Sequence, residues 1–220
     1  METFHPHRLA DPRDGRPGDG IHWQKDGWLS GGLSWVIKKI KEPWWDAWDW
    51  HLTPVVFVGT PSQINDWIAN DLNPVRRSLG MKAISEFQFT ADNFVAIDAV
   101  LVDAQFPTVR LSLLSAYLAK GRAGRAYRVV PVPPPQWKFN RFTADHVGRP
   151  YDFLVYLWTA LRCFRDVPRV INRLYDCWEV LYNCYEYCCR WCPDDGTDYD
   201  YNYPWLPDLR RAYGEMPLKK

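Results

Sequence analysis

No run of roughly 18 consecutive apolar residues occurs in this chain of 220 residues, so nothing in it reads as a membrane-spanning helix. Its opening, METFHPHRLADPRDGRPGDG, lacks the apolar stretch of a secretory signal peptide. That implies synthesis in the cytosol, and either retention there or exit by another route. Neither sign of charge is in excess. The 27 Lys and Arg nearly cancel the 26 Asp and Glu, which removes the general electrostatic case for nucleic acid. The first 162 residues contain no cysteine at all; Cys163, Cys177, Cys184, Cys188, Cys189 and Cys192 all fall in the last third. A disulfide framework would spread its cysteines to close loops, so this bunching implies free thiols. Aromatic residues, by contrast, are abundant, with 13 Trp, 12 Tyr and 10 Phe, and the length suits one domain with a substantial core.

Residues 1–17, rich in Pro, Gly and charge, predict an extended N-terminal arm. Leu33, Val36, Ile37 and Ile40 lie at helical spacing before Pro43, and TPVVFVGT predicts a short buried strand. PSQINDWIAND opens with a Pro-Ser helix entry. The segments EFQFT, NFVAIDAVLVDA, TVRLSL and RAYRVVPV alternate or are β-branched and predict strands, with a short helix in SLLSAYLAKG. VPVPPPQW reads as a stiff connector to a helical half that starts at Tyr151. Strands first and helices after, without βα alternation, predict an α+β fold with an antiparallel sheet packed against a helix. The domain is expected over 18–196, with an irregular aromatic tail over 197–220.

The cysteine-rich stretch YNCYEYCCRWC admits three readings. On a helix, Cys184, Cys188 and Cys192 form a stripe about 12 Å long, too spread for one tetrahedral ion, so no metal and no cofactor are expected. Cys177, Cys184, Cys188 and Cys192 also share one helical face, as small core residues would. A nucleophile instead needs a lowered pKa, which a helix N-terminus and an imidazole supply. Asn183 could cap a helix beginning at Cys184, and Asp176 one beginning at Cys177, so local chemistry leaves the two tied. Among five histidines, His51 stands at the head of the strand LTPVVFVG, directly after the tryptophans of EPWWDAWDW.

The order of motifs PGDGIHW, WHLTPVVFVG, AVLVDAQFPTVRLSLLSAYL, RAYRVVPV, GRPYDFLVYL and NCYEYCCRW resembles the circularly permuted papain-like cysteine hydrolases. These comprise permuted relatives of NlpC-type cell-wall peptidases and the lecithin retinol acyltransferase group. The matching residues are Gly18 and Asp19, His51, Asp103 in LVDA, and Gly148, Pro150, Tyr151 and Asp152, then a Cys followed two places on by Glu. The match spans about 18–195. It implies a papain-like sheet and a nucleophile-bearing helix, with Cys184 favoured as nucleophile and Cys177 as its competitor. His51 is implied as base and Asp103 as the group that fixes its tautomer, with Asp98 in AIDA the competing acid. Tyr185 in place of a small residue after the nucleophile, and HLTP at the head of the His strand, depart from the pattern.

The implied chemistry is acyl transfer through a thioester on Cys184, with the oxyanion held by helix N–H groups. The implied substrates are peptidoglycan stem-peptide amides, or lipid esters and amides. Trp44, Trp45, Trp48 and Trp50 would stack on a sugar, meet a lipid interface, or pack the loop onto the core. A wall hydrolase in a phage tail or virion fits the absence of a signal peptide. The rival is an inactive scaffold of a larger assembly that keeps the fold.

Overall fold

The structure, a computed structural model, describes residues 5–23, 51–90, 95–105, 107–151 and 177–191. The apolar segment at 33–40, the four tryptophans before His51, Asp152, Cys163, Cys192 and the tail lie outside the described residues.

The fold is mixed α+β, and the described residues form a six-stranded sheet whose pairings are all antiparallel. Its strands are β1 (His7–Arg8), β2 (Gly20–Trp23), β3 (His51–Gly59), β4 (Asp98–Gln105), β5 (Thr108–Leu113) and β6 (Gly124–Arg128), in the order β1-β6-β2-β3-β4-β5. The N-terminal arm is therefore extended but docked. His7 and Arg8 pair with β6 at the sheet edge, and Arg16 donates to the carbonyls of Val130 and Pro131. What fastens it is Asp19, fully buried, which accepts from the Arg16 amide at 3.0 Å and from Arg128 Nη2 at 2.9 Å. The Gly-Asp pair of the sequence motif is thus a clamp between the arm and β6.

Alternation sorts the two faces. Leu52, Val56, Val100, Val102 and Tyr127 point to one face, whose core also contains the helices. Ile21, Trp23, Val55, Leu101 and Ala126 point to the other, under α3 (Leu114–Ala119). A bulge between Val55 and Phe57 turns both Val56 and Phe57 toward the helical side, where Phe57 stacks on Trp67 at 4.8 Å.

Among the described residues four helices cover the first face. Thr60 and Gln63 form a reciprocal capping box that starts α1 (Pro61–Asp66). The chain continues through a wide π-helical turn, Trp67–Leu72, into α2 (Asn73–Ser78), with Asn73 N–H bonded to the Ile68 carbonyl. Pro74 explains the turn. It has no N–H to donate and its ring crowds the carbonyl four residues back, so the helix widens just before it. α4 (Gln136–His146) follows the proline run, so that run leads directly into a helix of the same layer rather than into a separate half. α5 (Cys177–Cys184) packs across β3 and β4 and runs on as a π-helical turn, Tyr185–Cys189.

The stretch EFQFT, expected as a strand, is outside the sheet. The backbone of Phe87 pairs with the side chain of Asn65, donating to it at 3.0 Å and accepting from it at 3.0 Å. Ile84 pairs with Asn73 in the same way at 2.8 and 3.0 Å. Two side-chain amides on the helix supply the partners a neighbouring strand would have given. Among the described residues no helix is long and apolar enough to cross a membrane.

Candidate active site

His51 is the first residue of β3, and Asp103 lies on the adjacent strand β4. The register Val55↔Leu101 makes the two diagonal neighbours on one face. His51 Nε2 lies 2.7 Å from Asp103 Oδ1. The imidazole is 15 % exposed and the carboxylate fully buried. Asp103 Oδ2 accepts from Tyr117 Oη at 2.6 Å and Ser112 Oγ at 2.8 Å, with Arg110 Nε 3.5 Å away. Burial alone would raise the Asp103 carboxyl. The His51 contact and the Tyr117 and Ser112 hydroxyls outweigh it and hold the group down at about 2. The carboxylate is therefore ionised at neutral pH, and among the described residues it orients the imidazole beside it through Nε2.

Tyr117 and Ser112 are not legible as site residues in the sequence. One signal does exist. Arg110 and Ser112 are the polar alternates of TVRLSL, and Arg110 is the direct cross-strand partner of Asp103, so both project to the side of the carboxylate. Tyr117 reaches the pair because α3 folds back over that face immediately after β5, where its ring stacks on Trp23 at 4.4 Å. Asp98, the competing acid, is engaged elsewhere: it accepts from the amides of Ala99 and Ser115 at the start of α3, at 2.8 and 3.1 Å.

The structure does not bring Cys184 to this pair. The expected helix start at Asn183–Cys184 is corrected: Asn183 is inside α5 and Cys184 is its last residue. The cause is a single buried stripe, Cys177, Val180, Leu181, Cys184, Tyr185 and Cys188, whose helical spacing outweighs one good capping residue. Cys184 is fully buried, and burial, then its neighbour Cys188, pushes its thiol well above the ordinary range. Burial likewise lifts the Cys189 thiol to about 12. Neither has the environment of a reactive thiolate. Among the described residues no disulfide involves Cys177, Cys184, Cys188 or Cys189.

The face of the sheet matters as much as the burial. Trp23, the cross-strand partner of His51, belongs to the core beneath α3, so His51 projects to that side, whereas α5 lies on the other. The direction of α5 can be read from two glycines. A side chain at Gly18 would meet Cys189 Sγ at 3.0 Å, and one at Gly20 would meet Leu181 Cδ1 at 2.8 Å. Moving along β2 toward Trp23 and His51 thus means moving along α5 toward Cys177. Cys177 is the described thiol at the His51 end of the sheet, and Cys184 lies about 10 Å further along the helix axis.

Among the described residues no group of three or more His, Cys, Asp or Glu is placed to hold a metal ion. No family model, no curated protein and no solved structure matches this chain.

Proposed function

We propose that this protein is a cysteine hydrolase of the permuted papain-like type, acting through a thioester, with His51 and Asp103 as its imidazole–carboxylate pair. The observation that carries the reading is the buried, ionised Asp103 bonded to one ring nitrogen of a partly exposed His51. Such a pair is the orienting half of a nucleophile–base–acid triad. For the nucleophile the position along α5 favours Cys177 over Cys184. In this reading the thiol meets the imidazole at the His51 end of β3, the end to which Cys177 lies nearer than Cys184. Peptidoglycan stem-peptide amides are the proposed substrate, and a phage tail or virion the proposed setting; both rest on the resemblance of the motifs.

A second reading is favoured by a specific observation. Every described cysteine on the α5 stripe is buried, and the stripe faces away from His51. That is the arrangement expected of a scaffold that keeps the fold without the activity. Limiting iodoacetamide near neutral pH separates the two. The hydrolase reading expects Cys177 to be alkylated first, His51→Ala to slow that alkylation, and Cys177→Ala to abolish release of fragments from purified peptidoglycan as followed by mass spectrometry. Cys184→Ala should leave release intact and cost about 1–2 kcal/mol of stability by removing a buried sulfur. Uniformly slow alkylation with no fragments released establishes the scaffold instead.

A further inference from the structure

The hydrogen bonds around Asp103 have a fixed polarity, and it can be followed from donor to acceptor. Arg110 carries only donors, so where its Nη2 meets Gln105 at 2.5 Å the amide oxygen Oε1 must accept. That fixes the amide orientation, and Gln105 Nε2 donates to Tyr117 Oη at 2.9 Å. The tyrosine has a single proton, and it goes to Asp103 Oδ2 at 2.6 Å. Burial, then the Asp103 charge, holds the Tyr117 hydroxyl far above the ordinary tyrosine range, so it keeps that proton. Toward His51 Nε2, 3.2 Å away, the hydroxyl oxygen can then only accept. The ionised carboxylate can likewise only accept from the same nitrogen.

We propose that Tyr117 is a positioning residue for the His51–Asp103 pair, its hydroxyl locking the imidazole with the proton on Nε2 and leaving Nδ1 as the nitrogen that takes a proton. This rests on the hydrolase reading for its catalytic meaning, but the locking itself does not. The site is defined by groups from three elements: Asp103 from β4, Arg110 and Ser112 from β5, and Tyr117 from α3, with Arg122 placed over the Tyr117 ring at 4.9 Å. Trp23 and His51 flank the tyrosine ring, at 4.4 and 6.1 Å between centroids. Replacement by Phe therefore keeps the packing and removes only the hydroxyl.

The test uses the full chain with labelled histidine and aspartate. Nitrogen-15 shifts of the neutral His51 ring in the wild type should report a proton on Nε2. In Tyr117→Phe the carbon-13 titration of the Asp103 carboxyl should move up from about 2 by about one unit, because a hydrogen bond to the charged form is lost. Gln105→Leu, at the partly exposed end of the chain of bonds, should shift the same titration in the same direction by less. On a substrate that the wild type cleaves, Tyr117→Phe should lower kcat by about 10-fold or more with KM changed less than about twofold. A proton on Nδ1 in the wild type, or an Asp103 titration unmoved in Tyr117→Phe, overturns the proposal whatever the activity. The expected shifts without any turnover in the wild type leave the positioning role established and remove the hydrolase reading.

Discussion

On the hydrolase reading, Asp103→Asn should lower turnover of a peptide amide substrate by about 10²–10⁴-fold while the sheet still forms. An aspartate here gives two acceptor oxygens, one to His51 Nε2–H and one to the hydroxyls of Tyr117 and Ser112. Asparagine gives one acceptor and one NH₂. If its oxygen stays with His51, the NH₂ faces two hydroxyls that must rotate to accept. If the NH₂ turns to His51, it requires a lone pair on Nε2 and drives the proton to Nδ1, removing the base. Either outcome spoils the oriented pair without leaving a cavity, which is why kcat should fall much more than stability does. The same residue sets a pH dependence. Its folded pKa of about 2 lies below the unfolded value of about 3.9, so its stabilisation is complete above about pH 4 and is lost as pH falls toward 2. The shift corresponds to about 2–3 kcal/mol, and denaturant titrations at pH 5 and pH 2.5 should show most of that loss in the wild type and not in Asp103→Asn. Equal turnover in the two proteins would take Asp103 out of the mechanism.

Much of the sheet was legible because its signals are local. The cores of β3, β4 and β5 are VVFV, AVLV and VRLSL, whose branched or alternating residues suit a pleated surface whatever surrounds them. The neighbourhood of His51 and Asp103 followed from motif order, since a strand beginning with His and a strand ending in LVDA need only be adjacent to meet. Three features were not legible, each for a physical reason. EFQFT has strand composition, yet Asn65 intercepts the backbone of Phe87 from a helix, as Asn73 does that of Ile84 just before it, and no property of the five residues reports that. Asn183 is a good cap by chemistry, but capping is worth about 1 kcal/mol and the buried stripe through Cys184 and Tyr185 is worth several times that. Finally, the side of the sheet on which a strand-end histidine projects depends on a count of one residue, and no motif fixes that count until the cross-strand pair Trp23↔His51 is known.

Arg76→Met should cost about 3–5 kcal/mol although the residue is remote from His51. Arg76 lies on α2, is 4 % exposed, and among the described residues has no carboxylate partner. Its charge is instead neutralised by three backbone carbonyls. Nε donates to Lys82 O at 2.6 Å, and Nη1 donates to Ala144 O at 2.9 Å and to Val147 O at 2.7 Å. The last two are orphaned acceptors at the C-terminal end of α4, where the helix dipole is negative and a cation is favoured. One guanidinium thus ties α2 to the end of α4 and to the turn that follows α2. Methionine fills much of the volume but donates nothing, so two buried carbonyls and the partly buried one of Lys82 lose their partner at once. Lysine is the informative control: it keeps the charge, but a single ammonium cannot reproduce the fork that spans Lys82 and Ala144, so Arg76→Lys should recover less than half of the loss. Chemical denaturation would measure both. A methionine variant within about 1 kcal/mol of the wild type would mean that water replaces the guanidinium at these carbonyls, and that the α2–α4 contact is held by its apolar side chains alone.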